Sequence, residues 1–271
     1  MKVTIRQVAI NIALILVLLW IIYPLFWAFV SSLKDDVEIF HYPPAILFSP
    51  GLAAFRAVLS GDWLNYFRNS IVVSVGGVIL PLIIGVPGAY ALARYDLPKK
   101  NFTMLSILSI RMMPGIVMLI PFFLMFLFLH LLDSYLALIL VYTTFNLPYV
   151  VWIMKGFIEQ IPRAMEEAAE LDGANLARIF RDIVIPLSGA GLVITGFLCF
   201  AQAWNDFAFA FILTNLDRTV PVGLSSLIGS RQVFWNQIFA VGVINMIPAM
   251  IFAYLSRRYW ARGFTLGIVK G

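Results

Sequence analysis

Long uncharged runs are the feature that most limits what this chain can fold into. A helix of ~20 residues crosses the ~30 Å hydrocarbon layer of a bilayer. Five uncharged runs exceed that length, at 7–33, 69–93, 134–154, 183–205 and 232–256. A sixth stretch, 101–132, contains a single charged residue, Arg111. Since every backbone group must be satisfied internally in lipid, the sequence predicts an all-α membrane protein with six transmembrane helices.

These runs set the approximate spans of a single transmembrane domain, 1–271. The six spans are predicted at 8–33, 69–93, 102–128, 135–158, 188–212 and 234–256. Most of the 19 Lys and Arg residues then fall on the side that holds both termini, and the positive-inside rule makes that side the cytoplasm. The formal net charge of +5 is therefore a topology signal. Without a concentrated basic face or an aromatic RNA-binding motif, it does not indicate nucleic-acid binding.

One long polar segment, 159–187, separates the fourth and fifth predicted spans and has the start and stop signals of two short helices. Pro162 suits a first helical position, because its missing N–H would be unpaired there. Gly173 suits the left-handed residue that ends a helix. Asn175 suits the cap of the next helix. We therefore expect two short helices on the cytoplasmic surface.

The first of these helices carries a strip of small apolar residues. Ala164, Ala168 and Leu171 follow the i, i+4, i+7 spacing of one helical face, which allows another protein to approach closely. Negative charge surrounds the strip at Glu166, Glu167, Glu170 and Asp172. A charge cluster alone is typical of a solvated amphipathic connector, so the strip by itself leaves both interpretations open.

The spacing of the whole segment is more specific than the strip. Glu167-Ala168-Ala169 is followed after three residues by Gly173, and after nine more by Ile183-Val184-Ile185-Pro186. This pattern resembles the signature loop of the membrane subunits of binding-protein-dependent ABC importers. Ile185 is the one departure, since the family usually has Leu there. The stretch 203–207, Ala-Trp-Asn-Asp-Phe, and the tail 263–271 are similar to the carbohydrate branch, specifically its shorter, maltose-system-like permease.

The resemblance implies a mechanical role for segment 159–187. In the family, a coupling helix between the fourth and fifth spans docks in a cleft on a separate ATPase subunit. Closure of the two ATPases then swings the spans from inward-facing to outward-facing. The residues implied in this coupling are Glu166, Glu167, Ala168, Ala169, Gly173 and Pro186. The end of the cytoplasmic tail 257–271 would make a second ATPase contact, at Val269, Lys270 and Gly271.

The cofactors and partners implied by the resemblance lie outside this chain. The sequence has no G-x-x-x-x-G-K-[ST] phosphate loop, so ATP and Mg are expected on the partner ATPase and no cofactor or catalytic site on this chain. The implied complex contains a second, related permease as heterodimer partner, a cytoplasmic ABC ATPase dimer and an extracytoplasmic sugar-binding protein. It would lie as a multi-pass protein in the lipid bilayer of the bacterial cytoplasmic (inner) membrane and import a sugar or sugar-like solute.

Four residues inside the predicted spans are candidates for the substrate pathway. Arg111 lies near mid-membrane, where an arginine must face protein, a partner or a polar cavity; a structural pairing competes there with substrate contact. Trp204, Asn205 and Asp206 combine an aromatic face with hydrogen-bonding groups, which suits a polyhydroxylated ligand and, equally, helix packing. Asp206 is the charge partner hypothesised for Arg111, although their depths along the helices disagree. The loop 215–235 is a further expected contact on the substrate side.

Two other functions are compatible with parts of the sequence. An ATP-independent carrier or channel would also lack a phosphate loop. An intramembrane hydrolase would use a motif that begins like Gly223-Leu224-Ser225, but Ser226 stands where that motif has a glycine. His41, His130 and Cys199 do not have the ligand spacing of a metal site.

Overall fold

The computed structural model describes residues 5–44, 47–229 and 232–266, and its regular secondary structure in these ranges is helical. The helices are α1 (Ile5–Ser32), α2 (Asp36–Ile39), α3 (Ala53–Leu59), α4 (Trp63–Arg94), α5 (Lys100–Met112), α6 (Gly115–Phe128), α7 (Tyr135–Glu159), α8 (Arg163–Leu171), α9 (Leu176–Ile179), a π-helical turn (Phe180–Val184), α10 (Ile185–Leu187), α11 (Gly189–Trp204), α12 (Ala208–Leu213), α13 (Val220–Ser225) and α14 (Trp235–Leu266). Within the described ranges no strand forms, and an isolated antiparallel bridge joins Ile228 and Val233.

Four helices are long and apolar enough to cross a membrane. They are Arg6–Ser32, Trp63–Arg94, Tyr135–Glu159 and Trp235–Tyr259. Two further candidates are bent pairs of helices. The pair α5 and α6 is bent by 91°, and the run Leu176–Leu187 is bent by 74° against α11. The described part of the chain therefore holds four to six candidate spans.

The third predicted span, 102–128, is a bent pair rather than one straight helix. α5 ends at Met112 and α6 begins at Gly115. Met113 is extended, with ψ 129°, because the ring of Pro114 disfavours the helical conformation in the residue before it. Pro114 also has no N–H to donate to α5. The local sequence therefore explains why the chain turns at this point.

The fifth predicted span, 188–212, is also interrupted. α11 ends at Trp204 and α12 begins at Ala208, which leaves a three-residue turn centred on Asp206. The Asp206 carboxylate accepts a hydrogen bond from the backbone N–H of Ala210 at 3.1 Å. This bond satisfies an N–H group in the first turn of α12 that has no partner within the helix.

The chain forms two compact units, and the larger one contains the candidate site. It consists of Asn65–Val222 and Ala249–Gly271. In this unit α4 lies directly against α7. A Cβ atom at Gly85 would lie 2.6 Å from a methyl carbon of Val150, and one at Gly77 would lie 2.9 Å from Cβ of Tyr142. Glycine at both positions therefore permits the close backbone approach that membrane helices use in place of a hydrophobic driving force.

A buried amide links three helices of the same unit. Asn146 of α7 is fully buried, and its Nδ2 donates to the carbonyl oxygens of Gly77 on α4 at 2.9 Å and Cys199 on α11 at 3.4 Å. Such interhelical hydrogen bonds hold membrane helices together at a defined register.

The smaller unit consists of Met1–Leu64 and Gly223–Pro248. Its apolar helix α1 exposes large side chains along its described length, and Trp20 is 83% exposed. In the same unit Asp36 accepts a hydrogen bond from the backbone N–H of Asn236 at 2.9 Å. An exposed apolar surface of this extent is typical of a helix that contacts lipid or another subunit.

Candidate functional site

Helix α8 ends in the left-handed turn that the sequence predicts. Gly173 has a φ of +82°. Its N–H donates to the Glu170 carbonyl at 3.0 Å, and the N–H of Ala174 donates to the Ala169 carbonyl at 2.9 Å. These paired bonds close a helix on a left-handed residue and satisfy its last carbonyl groups. The predicted conformation of Gly173 is confirmed.

The next helix is capped and then bends. The Asn175 side chain accepts a hydrogen bond at 2.9 Å from the backbone N–H three residues further on, as predicted for a cap. From Leu176–Leu187 the chain is continuously helical through the π-helical turn. Pro186 in this run is exposed and supplies no N–H to the helix. Pro162 lies at the cap of α8, one position before the predicted one.

Glu166 joins α8 to the end of α4. One carboxylate oxygen, Oε1, is 2.6 Å from Arg94 Nη2 and accepts from Arg94 Nε at 2.7 Å, while Oε2 accepts from the Tyr90 hydroxyl at 2.8 Å. The side chains of Arg94 and Glu166 are 8% and 9% exposed. Arg94 also donates to the Ile161 carbonyl at 2.9 Å, and Arg163 donates to the Arg94 carbonyl at 3.2 Å. α8 is therefore fastened to α4 by a buried ion pair and by hydrogen bonds.

The burial of Glu166 corrects the prediction that grouped it with the carboxylates around the surface strip. Its position on α8 turns the carboxylate towards α4, where the guanidinium of Arg94 compensates its charge. Ala169 is half-buried and packs against a cluster of buried residues. The opposite side of the helix, called here the exposed α8 face, consists of Ala164, Glu167, Ala168 and Leu171. Leu171 is 90% exposed.

Arg111 lies near the end of α5 and contacts α7. Its Nη2 donates to the Tyr149 hydroxyl at 2.9 Å, and the guanidinium carbon lies 4.1 Å from the centroid of the Tyr149 ring. Its Nη1 lies 3.5 Å from the Phe145 carbonyl oxygen. The hypothesised ion pair between Arg111 and Asp206 does not form. Arg111 is directed to Tyr149 and Phe145 of α7, and Asp206 accepts a hydrogen bond from the Tyr142 hydroxyl at 3.1 Å.

Arg111 and Asp206 nevertheless line one cavity of about 360 Å³. The other residues of its lining are Met113, Gly115, Ile116, Tyr142, Phe145, Gln202, Ala208 and Phe209. Trp204 and Asn205 are not part of the lining. Trp204 is 2% exposed and stacks on Phe200 with ring centroids 5.4 Å apart, while Asn205 donates to a carbonyl of its own helix. The structure therefore brings together two of the four candidate pathway residues.

Part of the predicted loop 215–235 is fastened by side chains from elsewhere in the larger unit. Asp133 accepts hydrogen bonds at 2.8, 2.9 and 3.1 Å from the backbone N–H groups of Asn215, Leu216 and Asp217. Partial burial acts to raise the pKa of Asp133, but these donors outweigh it and hold that pKa below its ordinary value. Ser70 of α4 accepts from the backbone N–H of Val220 at 2.8 Å.

Several residues of these contacts were not predicted from the sequence, among them Tyr90, Arg94, Tyr142 and Gln202. Two of them carried a usable signal: Arg94 is a charged residue at the end of a long apolar run, and Gln202 is a polar residue inside one. Tyr90 and Tyr142 carried none, since tyrosine is common at both interfaces and in the interiors of membrane bundles.

Comparison with known proteins places these features in a family. Residues 85–265 match the family described as binding-protein-dependent transport system inner membrane component. The chain belongs to this family. The matched range includes α8, the left-handed turn at Gly173 and the cavity between α5 and α12, so this permease carries both candidate sites within its family region.

Similar proteins match the permease over almost its whole length. It is 32% identical to the inner membrane ABC transporter permease protein YcjP of Escherichia coli (strain K12), over 100% of this chain and 99% of that protein. It is 32% identical to the trehalose transport system permease protein SugB of Mycobacterium tuberculosis, over 94% of this chain and 95% of that protein. It superposes with a TM-score of 0.78 on a chain of a bacterial ABC transporter involved in the import of the acidic polysaccharide alginate, at 25% identity over 94% of this chain and 96% of that chain.

Two further predictions, a C-terminal ATPase contact and the lack of a metal site, do not involve the contacts described above. The ATPase contact expected at Val269, Lys270 and Gly271 lies outside the described residues. Among residues 5–44, 47–229 and 232–266, no group of three or more His, Cys, Asp or Glu side chains has an arrangement that could hold a metal ion.

Proposed function

We propose that this permease forms half of the translocation pathway of an ATP-driven, binding-protein-dependent importer for a sugar or sugar-like solute. The family and the similarity to a trehalose permease and to an alginate importer support this class of substrate. In this proposal the chain has six spans with both termini in the cytoplasm of a bacterium, so that α8 lies on the cytoplasmic surface. The solute is delivered from outside by a sugar-binding protein.

The observation that carries the coupling role is the two-sided character of α8. Its buried side holds Glu166, which is bonded to Arg94 and Tyr90 of α4. Its exposed face presents Ala164, Glu167, Ala168 and Leu171. Small side chains at the centre of a face let a partner backbone approach, and the large exposed Leu171 provides apolar area for a contact.

In this proposal α8 is the coupling helix, and the exposed α8 face docks in a cleft of the ATPase. Glu167 contacts the ATPase, and Ala168 and Ala169 allow close packing. Gly173 sets the bend to the following helix and Pro186 lies where that helix turns towards α11. The Arg94–Glu166 pair fastens α8 to α4, and a short connection joins the end of α7 to the start of α8. A displacement of α8 therefore moves both α4 and α7.

The remaining components of the importer are separate chains. ATP and Mg bind the cytoplasmic ABC ATPase dimer, and a second, related permease forms the other half of the pathway. The C-terminal residues Val269, Lys270 and Gly271 contribute a second ATPase contact. This permease contributes no catalytic group of its own.

Uptake of radiolabelled trehalose into proteoliposomes tests the proposal. The vesicles contain the permease, its partner permease and the ATPase dimer, with the binding protein outside. We expect uptake only with internal ATP and Mg, and we expect Glu167→Lys on the exposed α8 face to abolish it. Asp182→Lys is the matched control. It reverses the charge of an exposed carboxylate that belongs to the same segment but lies outside the exposed α8 face.

The outcomes distinguish ATP-driven import through the exposed α8 face from the alternatives. Uptake that needs no ATP would favour the carrier or channel instead. Wild-type rates in Glu167→Lys would exclude the coupling role of the exposed α8 face, and equal loss in both variants would mean that the segment responds to charge in general.

A further inference from the structure

Two interrupted helices open onto the same cavity in the larger unit. Met113 and Gly115 reach it from the α5–α6 break, and Asp206 and Ala208 reach it from the α11–α12 break. Irregular backbone at membrane depth is tolerated where it is buried in protein or lines a water-filled space, because lipid cannot satisfy its N–H and C=O groups. The shared position of both breaks therefore indicates a hydrated cavity rather than a packing defect.

The polar lining has hydrogen-bonding capacity that the protein does not use. The side-chain oxygen Oε1 of Gln202 is buried and has no hydrogen-bond partner among the described residues. A buried amide oxygen without a donor is unfavourable until a ligand or water supplies one. Arg111 has five N–H donors, and its protein contacts engage one with Phe145 and one with Tyr149. The cavity thus offers donors and an acceptor to a ligand.

Aromatic rings lie beside these polar groups. Phe145 and Phe209 both line the cavity, with ring centroids 5.3 Å apart. A sugar ring matches this combination, because hydroxyl groups surround its edge and C–H groups cover its faces. The cavity volume of about 360 Å³ lies at the lower end of the range of ~300–1,000 Å³ typical of small-molecule pockets. This size suits a single ring rather than an oligosaccharide.

The charges of the lining favour a neutral ligand. Arg111 and Asp206 contribute one positive and one negative charge to the cavity, and each is already bonded to a tyrosine hydroxyl, of Tyr149 and Tyr142 respectively. A neutral polyol can bond to both groups without bringing in a charge that needs compensation. A zwitterionic amino acid is the other ligand that one cation and one anion would suit, and the experiment below separates the two.

We propose that this cavity binds one ring of the transported sugar. Arg111 donates to ring hydroxyls, Gln202 Oε1 accepts from one, and Phe145 with Phe209 contacts the apolar ring face. The proposal rests on the proposed function, since the ring belongs to the imported solute, and it gives this permease a direct substrate contact at the two helix breaks.

Cysteine labelling tests whether the cavity is hydrated and occupied. In the assembled importer with Cys199→Ala, Ala208→Cys lies in the cavity lining but replaces none of the proposed sugar contacts. It should react with a charged thiosulfonate about tenfold faster than Ile83→Cys, because thiolate forms only in water. Ile83 of α4 is the control, since its side chain is 64% exposed on an apolar surface. A panel of trehalose, maltose and glucose should include a sugar that slows labelling at Ala208→Cys, and glycine should not. Equal labelling of the two positions, protection by none of the sugars, or protection by glycine would overturn the proposal.

Uptake kinetics provide a second test with a matched control. Gln202→Met removes the amide oxygen and keeps the side-chain length, and we expect the KM for the protecting sugar to rise about tenfold through the loss of one hydrogen bond. Thr195→Val is the control, because Thr195 Oγ1 is also buried on α11 without a partner among the described residues but lies outside the cavity lining. An unchanged KM in Gln202→Met would contradict the site, whereas failure of the proposed function would appear separately as absence of ATP-driven uptake by the wild-type complex.

Discussion

Replacing Glu166 by glutamine tests whether the Arg94–Glu166 pair fastens α8 to α4. The substitution preserves side-chain size but leaves the charge of Arg94, 8% exposed, without its counter-ion. Removing one partner of a buried ion pair costs about 3–5 kcal/mol. The glutamine oxygen and the Ile161 carbonyl still accept hydrogen bonds from Arg94, so we expect about 2–3 kcal/mol here. That loss corresponds to a roughly 30- to 150-fold higher population of undocked α8.

Hydrogen exchange of the α8 amides measures this undocking. In the purified permease, amide protection of α8 should fall by that factor in Glu166→Gln. In Glu170→Gln, which alters an exposed carboxylate of the same helix, it should change by about twofold or less. Exchanging the two charges, in Arg94→Glu with Glu166→Arg, should restore part of the protection. Equal protection in Glu166→Gln and Glu170→Gln would refute the argument that the buried pair holds α8 in place.

Three further predictions concern backbone geometry, packing and pH. Gly173→Ala should destabilise the turn after α8 by about 1–2 kcal/mol, because a Cβ is disfavoured at φ +82° although it would meet no atom; Gly173→Asn should cost less, and amide exchange in α8 measures both. Gly85→Ala should lower the Tm of the purified permease by forcing Val150 to move, whereas Gly88→Ala, where nothing lies within 4 Å of the added Cβ, should not; equal Tm values would contradict the close approach of α4 and α7. The pKa of Asp133 is lowered, so its stabilisation of residues 215–217 should be complete above the ordinary carboxyl pKa of about 3.9 and lost as pH falls through the lower folded value. Protection factors of those three amides that stay constant at acid pH would contradict this.

Local signals in the sequence were sufficient for the features that depend on neighbouring residues. The left-handed conformation of Gly173 and the cap at Asn175 follow from side-chain size and from a hydrogen bond within three residues. The break at Pro114 is also local, because the ring acts on the residue immediately before it. The sequence analysis predicted a single span here, and although the proline explains the break, it does not give the angle of 91° between the two helices.

The contacts that give the two sites their chemistry are not local. Glu166 is 72 residues from Arg94 and 76 from Tyr90, and the helical pattern of α8 alone does not reveal which carboxylate faces a partner. The same limit applies to Arg111, whose charge predicted an interior partner while its actual partner, Tyr149, is an uncharged residue on another helix. Opposite charge alone favoured Asp206 instead. Long-range pairs of this kind depend on which helices become neighbours.

The glycine contacts between α4 and α7 determine how the larger unit can deform. α7 continues through a short connection into α8, α8 is bonded to the end of α4, and α4 returns to α7 at Gly85 and Gly77. The three helices are therefore joined in a closed loop of contacts. In the proposed coupling, a displacement of α8 is therefore expected to move α4 and α7 with it, and the breaks at Pro114 and around Asp206 are places where the bundle can bend.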